Sequence, residues 1–179
     1  MLTLVLGGAR SGKSRHALAL ARQAGEAVVF IATCVPRDEE MQDKVERHRR
    51  ERPSSWTTVE HPSNLARVVD QYEGKADVAL VDCLTLYLSE ALVKGEPQDA
   101  ILERVEQFCQ RAQSSLISVI VVSNEVGFGI VPETPLGRAF RDLAGSANQI
   151  AARLAQDVWL VAAGIPLSLK TSAAVRSAQ

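Results

Sequence analysis

Aromatic residues are scarce, at 4% of the 179 positions, and cysteine is limited to Cys34, Cys83 and Cys109. Three widely separated cysteines, none with a Cys or His at zinc spacing, exclude a disulfide framework and a structural zinc site. Net charge is nearly absent, because 20 Lys plus Arg oppose 21 Asp plus Glu for a formal charge of −1. A chain so balanced is not built to coat nucleic acid. No stretch approaches the ~18 consecutive apolar residues of a membrane-spanning helix. The apolar opening, residues 1–6, is short and lacks a basic lead-in, so no secretory signal is expected. Apolar residues make up 46% of the chain. At this length that suits one domain burying roughly 70% of its unfolded surface. The expectation is a soluble, reduced, cytoplasmic protein.

Internal repeats and low-complexity segments are also missing. Short Val/Ile/Leu-rich runs at residues 2–6, 27–32, 78–81, 117–122 and 158–161 are nearly continuous in hydrophobicity, as strands covered on both faces are. Helix-length amphipathic segments lie between them, at about 13–23, 38–51, 63–72, 84–93, 99–113 and 136–155. This alternation predicts an α/β fold with a mainly parallel sheet flanked by helices. Residues 56–60 are expected as a further edge strand. Gly164-Ile165 is expected to turn the chain into a final antiparallel strand over 166–170. Residues 1–170 then form one domain and 171–179, small and polar, a loose tail.

Gly7-Gly8-Ala9-Arg10-Ser11-Gly12-Lys13-Ser14 satisfies G-x-x-x-x-G-K-[ST], with a buried-type strand before it and a helical run after it. Glycines let the backbone wrap so that its N–H groups converge on phosphate oxygens. The helix that follows places its positive end on the same anion. Lys13 would reach the β- and γ-phosphates, and the Ser14 hydroxyl would ligate Mg²⁺. An accidental glycine turn would not meet every position in this context. The fold expected is therefore P-loop NTPase-like (RecA-like). Asp82, at the tip of the 78–81 run, fits the second magnesium ligand; the alternative is a helix N-cap ahead of Leu84. Asn124 and Glu125 end the next run in the same way and would face the same crevice, in reach of metal, water or substrate.

The most polar segment is 37–52. Residues 37–43 carry one positive and four negative charges, whereas 44–52 carry five positive and two negative. A solvated helix complementing its own dipole explains that order. His48, however, sits among Lys44, Arg47, Arg49, Arg50 and Arg52. Flanking cations disfavour protonation and keep an imidazole neutral and nucleophilic. The same arginines would grip a triphosphate and stabilise a departing pyrophosphate. A neutral imidazole can attack an α-phosphorus and carry the nucleotide as a phosphoramidate. His16 and His61 read as structural.

The phosphate loop extended through Arg15-His16, Ile31-Ala32-Thr33, Arg47-His48-Arg49-Arg50-Glu51-Arg52-Pro53, Trp56 and Ser123-Asn124-Glu125-Val126-Gly127-Phe128-Gly129-Ile130-Val131-Pro132-Glu133 occur in order. Phe140-Arg141-Asp142-Leu143-Ala144-Gly145, Asn148-Gln149 and Val158-Trp159-Leu160-Val161 complete the set. Nearly the whole chain thus resembles the bifunctional adenosylcobinamide kinase / adenosylcobinamide-phosphate guanylyltransferase family of cobalamin biosynthesis. The resemblance implies phosphorylation of adenosylcobinamide by ATP or GTP. GMP transfer from GTP to that phosphate follows, through a guanylylated histidine matching His48. It carries nucleotide contacts to Gly7 through Ser14, to Ala32, Thr33 and Cys34, to Arg49, Arg50, Glu51 and Arg52, and to Glu60 and Asp82. Either carboxylate can accept from the guanine N1–H and amine, so base reading competes with metal holding at Asp82. The family pattern also implies a homotrimer, while the phosphate loop calls for Mg²⁺ and the charge balance for no nucleic-acid partner. Asp82 stands where relatives can carry Glu. Two other readings fit the phosphate loop alone: a simple small-molecule kinase without a covalent nucleotide, and a nucleotide-dependent switch or nucleic-acid-associated ATPase.

Overall fold

The computed structural model describes residues 1–36, 38–50 and 52–171, apart from the side chains of residues 40, 44, 47 and 48. The last part of the expected tail, 172–179, lies outside the described residues. Seven strands form one sheet in the order β3-β2-β4-β5-β1-β6-β7. They are β1 (Leu2–Gly7), β2 (Val28–Ala32), β3 (Thr57–Glu60), β4 (Val78–Asp82), β5 (Ser118–Asn124), β6 (Asp157–Ala162) and β7 (Ile165–Lys170). The helices are α1 (Lys13–Ala24), α2 (Glu39–Arg50), α3 (Leu65–Tyr72), α4 (Leu84–Val93), α5 (Gln98–Ser114) and α6 (Pro135–Leu154). Strands β1 to β6 are mutually parallel and β7 is antiparallel to β6.

Continuous apolar runs work here because both faces of the sheet are covered. Leu2, Leu4 and Leu6 of β1 pack with Val119 and Val121 of β5 against α3 to α6. Val5, Ile120, Val122, Phe30 and Leu80 face the other way, onto Ala17, Leu18 and Ala21 of α1 and the buried Trp56. Alternate residues of one strand thereby serve two cores. The short edge strand β3 and the exposed β7 close the two sides.

Each expected element is present, and the shifts in boundary have local causes. Helix α3 begins at Leu65 rather than at 63 because Asn64 caps it, its side chain accepting from the Arg67 N–H at 3.1 Å. Strand β5 runs on to Asn124 because Gly7 of β1 remains its register partner there. Asp82 is not the N-cap of α4. That position is Cys83, and Asp82 is the last residue of β4.

Candidate active site

At the carboxyl end of β1 the backbone leaves the sheet at Gly7 and curls into α1. Arg10 (φ 55°) and Gly12 (φ 94°) adopt left-handed conformations, which turn the chain sharply enough for α1 to start at Lys13. The Ser11 N–H donates to the Gly8 carbonyl at 3.2 Å, and the His16 N–H to the Gly12 carbonyl at 3.0 Å. Lys13 Nζ donates to the Gly8 carbonyl at 3.1 Å, which lays the ammonium across the loop. No acidic residue occupies the first turn of α1, so the positive helix end is unopposed by local charge.

A second element buttresses the loop. The tight β6–β7 turn, with Ala163 (φ 51°) and Gly164 (φ 82°) left-handed, brings the Gly164 N–H to the Ser11 carbonyl at 2.8 Å. The turn residues are visible in the sequence, but their approach to the loop is not. Gly7 is equally constrained, because an added Cβ would stand 2.6 Å from the Val161 carbonyl oxygen and collide with Ser11 Oγ. Gly7→Ala is therefore expected to cost about 1–3 kcal/mol by overpacking. Gly8→Ala, where a Cβ meets nothing within 4 Å, should leave stability unchanged. Thermal melting checks both, at roughly 2–4 °C per kcal/mol for a chain of this size.

Because β1 to β6 are parallel, their carboxyl ends line one edge of the sheet. Asp82 ends β4, Ala32 ends β2 with Thr33 and Cys34 just beyond, Glu60 ends β3, and Asn124-Glu125 closes β5. Thr33 is buried and ties two of these ends together. Its Oγ1 donates to the Cys83 carbonyl and accepts from the Cys83 N–H, both at 2.7 Å. The Asp82–Cys83 peptide is cis. The Cys83 thiol is pushed up to about 11, mainly by burial and then by the Asp82 charge, with Lys13 acting in the opposite sense. Cys83 itself is held as an inert thiol.

Helix α2 brings its basic end to the far side of this edge. Arg49 pairs with Glu60 at 3.5 Å and with Glu46 at 3.6 Å. The Arg52 guanidinium lies over the Phe30 ring at 3.5 Å, and Arg50 is exposed. The surface ion pairs of Arg49 add little stability. His48 belongs to the same helix, but its side chain and all of Glu51 lie outside the described residues. His16 stacks edge-on against Trp159 with centroids 5.2 Å apart, and burial lowers its basicity. His61 follows β3 in a left-handed turn (φ 49°).

The described site residues fall into two groups on one sheet edge. Gly7, Gly8, Ala9, Arg10, Ser11, Gly12, Lys13 and Ser14 form the loop, and Asp82 ends β4, two strands away on the same edge. Ala32, Thr33, Cys34, Arg49, Arg50, Arg52 and Glu60 gather around the ends of β2 and β3. Beyond Thr33 lies a recess of about 180 Å³ bordered by Val35, His61, Ser63 and Tyr87. Three contacting residues lay outside the sequence-derived set: Phe30, Gly164 and, on α6, Asn148. Asn148 stood out only as part of a matching dipeptide, and Phe30 read as ordinary core.

A glycine-rich turn between a buried parallel strand and a helix, with an aspartate ending a parallel strand two places along the sheet, defines a P-loop nucleotide-binding α/β protein. A solved ATPase from the type III secretion system of pathogenic bacteria shares the fold at TM-score 0.58 and 11% identity. The match covers 93% of this chain and 56% of that one. Residues 3–169 match the family CobU, cobinamide kinase / cobinamide phosphate guanyltransferase, and the chain belongs to it. Similar curated proteins include the bifunctional adenosylcobalamin biosynthesis protein CobU of Escherichia coli (strain K12), 40% identical over 95% of this chain and 100% of its own. CobP of Pseudomonas aeruginosa, with the same bifunctional description, is 40% identical over 95% of this chain and 98% of its own. Among the described residues no helix is long and apolar enough to cross a membrane.

Proposed function

We propose that this chain phosphorylates adenosylcobinamide with ATP or GTP and then transfers GMP from GTP to the phosphate it has made, through His48. The observation that carries the reading is that the phosphate loop and a cluster of arginines lie along one sheet edge. The phosphate loop stands at β1; near β2 and β3, Arg49 of α2 reaches Glu60 and Arg52, just past the helix, covers Phe30.

Neighbouring strands are about 4.8 Å apart, so Asp82, two strands from the loop, is roughly 10 Å away and Glu60, four strands away, roughly 19 Å. A nucleotide with its phosphates on the loop would extend along this edge. That spacing favours Asp82 near the phosphates and Glu60 near the base, with Ala32, Thr33 and Cys34 flanking the sugar and base. Ser14 and Asp82 suit magnesium, which takes one or two protein oxygens and completes its shell with phosphate and water. When bound, it would neutralise phosphate charge.

In the first reaction the corrinoid hydroxyl attacks the γ-phosphorus and nucleoside diphosphate leaves. In the second, an imidazole nitrogen of His48 attacks the α-phosphorus of GTP. A P–N bond forms, the α–β bridging P–O bond breaks, and pyrophosphate departs. An oxygen of adenosylcobinamide phosphate then displaces the imidazole. Lys13 serves both reactions by balancing charge on the triphosphate. The resemblance that supports this chemistry also carries a homotrimer, built from one domain over residues 1–170.

Incubation with α-labelled GTP alone tests the reading. The denatured protein should retain label that is acid-labile and alkali-stable, and adenosylcobinamide phosphate added before denaturation should discharge it. A simple kinase would take up none.

A further inference from the structure

The loop that follows β5 holds a carboxylate in an arrangement that core packing does not require. The Glu125 N–H donates to the Gly7 carbonyl at 3.1 Å, so Glu125 is anchored directly beside the first glycine of the phosphate loop. Its side chain is held from two sides. Asn148 Nδ2 donates to Oε2 at 3.5 Å and the Gly127 N–H to Oε1 at 3.2 Å.

Asn148 is itself fixed. It is 5% exposed on α6, its Oδ1 accepts from Ser123 Oγ at 2.7 Å, and its Nδ2 also donates to the Asn124 carbonyl at 3.1 Å. With Oδ1 taken by Ser123, the amide can present only its nitrogen to Glu125. Both donors to the carboxylate are neutral, and Glu125 forms no ion pair with any described residue. A carboxylate offers about four lone-pair positions, and two remain open here. Beside it Asn124 Oδ1 is buried with no hydrogen-bond partner, a further acceptor unused by the protein. Aimed by neutral donors and left unneutralised, Glu125 has the setting of a proton acceptor rather than of a structural ion pair.

We infer that Glu125, positioned by Asn148, accepts the proton of the acceptor hydroxyl during phosphorylation; the assignment rests on the kinase half of the function proposed above. As the hydroxyl oxygen bonds to the γ-phosphorus, the bond from that phosphorus to the β–γ bridging oxygen breaks. Its electron pair leaves with the nucleoside diphosphate. The hydroxyl proton passes to a Glu125 carboxylate oxygen and then to water. Guanylyl transfer has no such need, since its acceptor is an already ionised phosphate. Asp82 ends β4, the strand next to β5, and already has the magnesium role with Ser14 in the function proposed above.

The test compares wild type, Glu125→Gln, Asn148→Ala and the double variant in two assays: transfer from γ-labelled GTP to adenosylcobinamide, and GMP transfer from α-labelled GTP to adenosylcobinamide phosphate. Glu125→Gln keeps shape and should lower the phosphorylation kcat on the order of 10²-fold, with nucleotide KM and GMP transfer within about twofold of wild type. Asn148→Ala should lower the same kcat by a smaller factor. It should cost nothing further once Glu125 is glutamine, because its effect passes through that carboxylate. Unaltered phosphorylation in Glu125→Gln overturns the assignment, as does parallel loss of both reactions. A wild-type protein that labels with GMP but never phosphorylates adenosylcobinamide overturns the kinase reading, and this assignment with it.

Discussion

In a His48→Ala variant, GMP transfer should fall on the order of 10⁴-fold or more, while phosphorylation of adenosylcobinamide stays within a few-fold of wild type. The asymmetry follows from which bond each reaction makes. Removing a covalent nucleophile deletes the step itself, and neither the phosphate loop nor the arginines can replace a nitrogen lone pair. Phosphorylation joins the acceptor oxygen to the γ-phosphorus directly and has no use for the imidazole. His48 lies in a helix whose residues Glu46 and Arg49 are exposed, so replacement by alanine should leave the fold intact. Paired measurements with α- and γ-labelled GTP, alongside circular dichroism, read the split. Equal loss of both activities in a folded variant would contradict separate chemistries at one triphosphate site.

The elements that bear this chemistry were readable in the sequence because each rests on local signals. Val28–Ala32 is apolar throughout and Val78–Asp82 at every position but the last, a pattern that doubly covered strands sustain. The phosphate loop was readable for a related reason: its glycines and lysine act within eight consecutive residues. Contacts between distant segments left no such trace. The order β3-β2-β4-β5-β1 places Glu60 four strands from Gly7, and strand order depends on crossovers that hydrophobic patterning does not record. The Gly164–Ser11 bond joins residues more than 150 positions apart. The Asn148 clasp on Glu125 depends on how α6 lies over the end of β5. Asp82 shows the opposite failure. A local rule offered it as a helix cap, but the chain stays in β4 through Asp82 and only Cys83 precedes the helix.

Lys13→Ala should depress both reactions together, each on the order of 10²–10³-fold in kcat, as expected for losing one preorganised charge at the reacting phosphates. Lys13 leaves the first turn of α1, and its Nζ crosses the loop to the Gly8 carbonyl. From there it can balance the triphosphate whether the γ- or the α-phosphorus is attacked. Lys13→Arg should not restore activity, since a planar guanidinium is broader than an ammonium and carries its donors in a rigid fork. Steady-state rates of both transfers, measured on variants shown to be folded, give the comparison. Parallel loss, set against the selective loss in His48→Ala, would mean that one bound nucleotide is approached at two phosphorus atoms. If phosphorylation alone fell in Lys13→Ala and protein labelling by α-labelled GTP persisted, the guanylyl donor would have to sit elsewhere. The arginines of α2 would then hold a second triphosphate of their own.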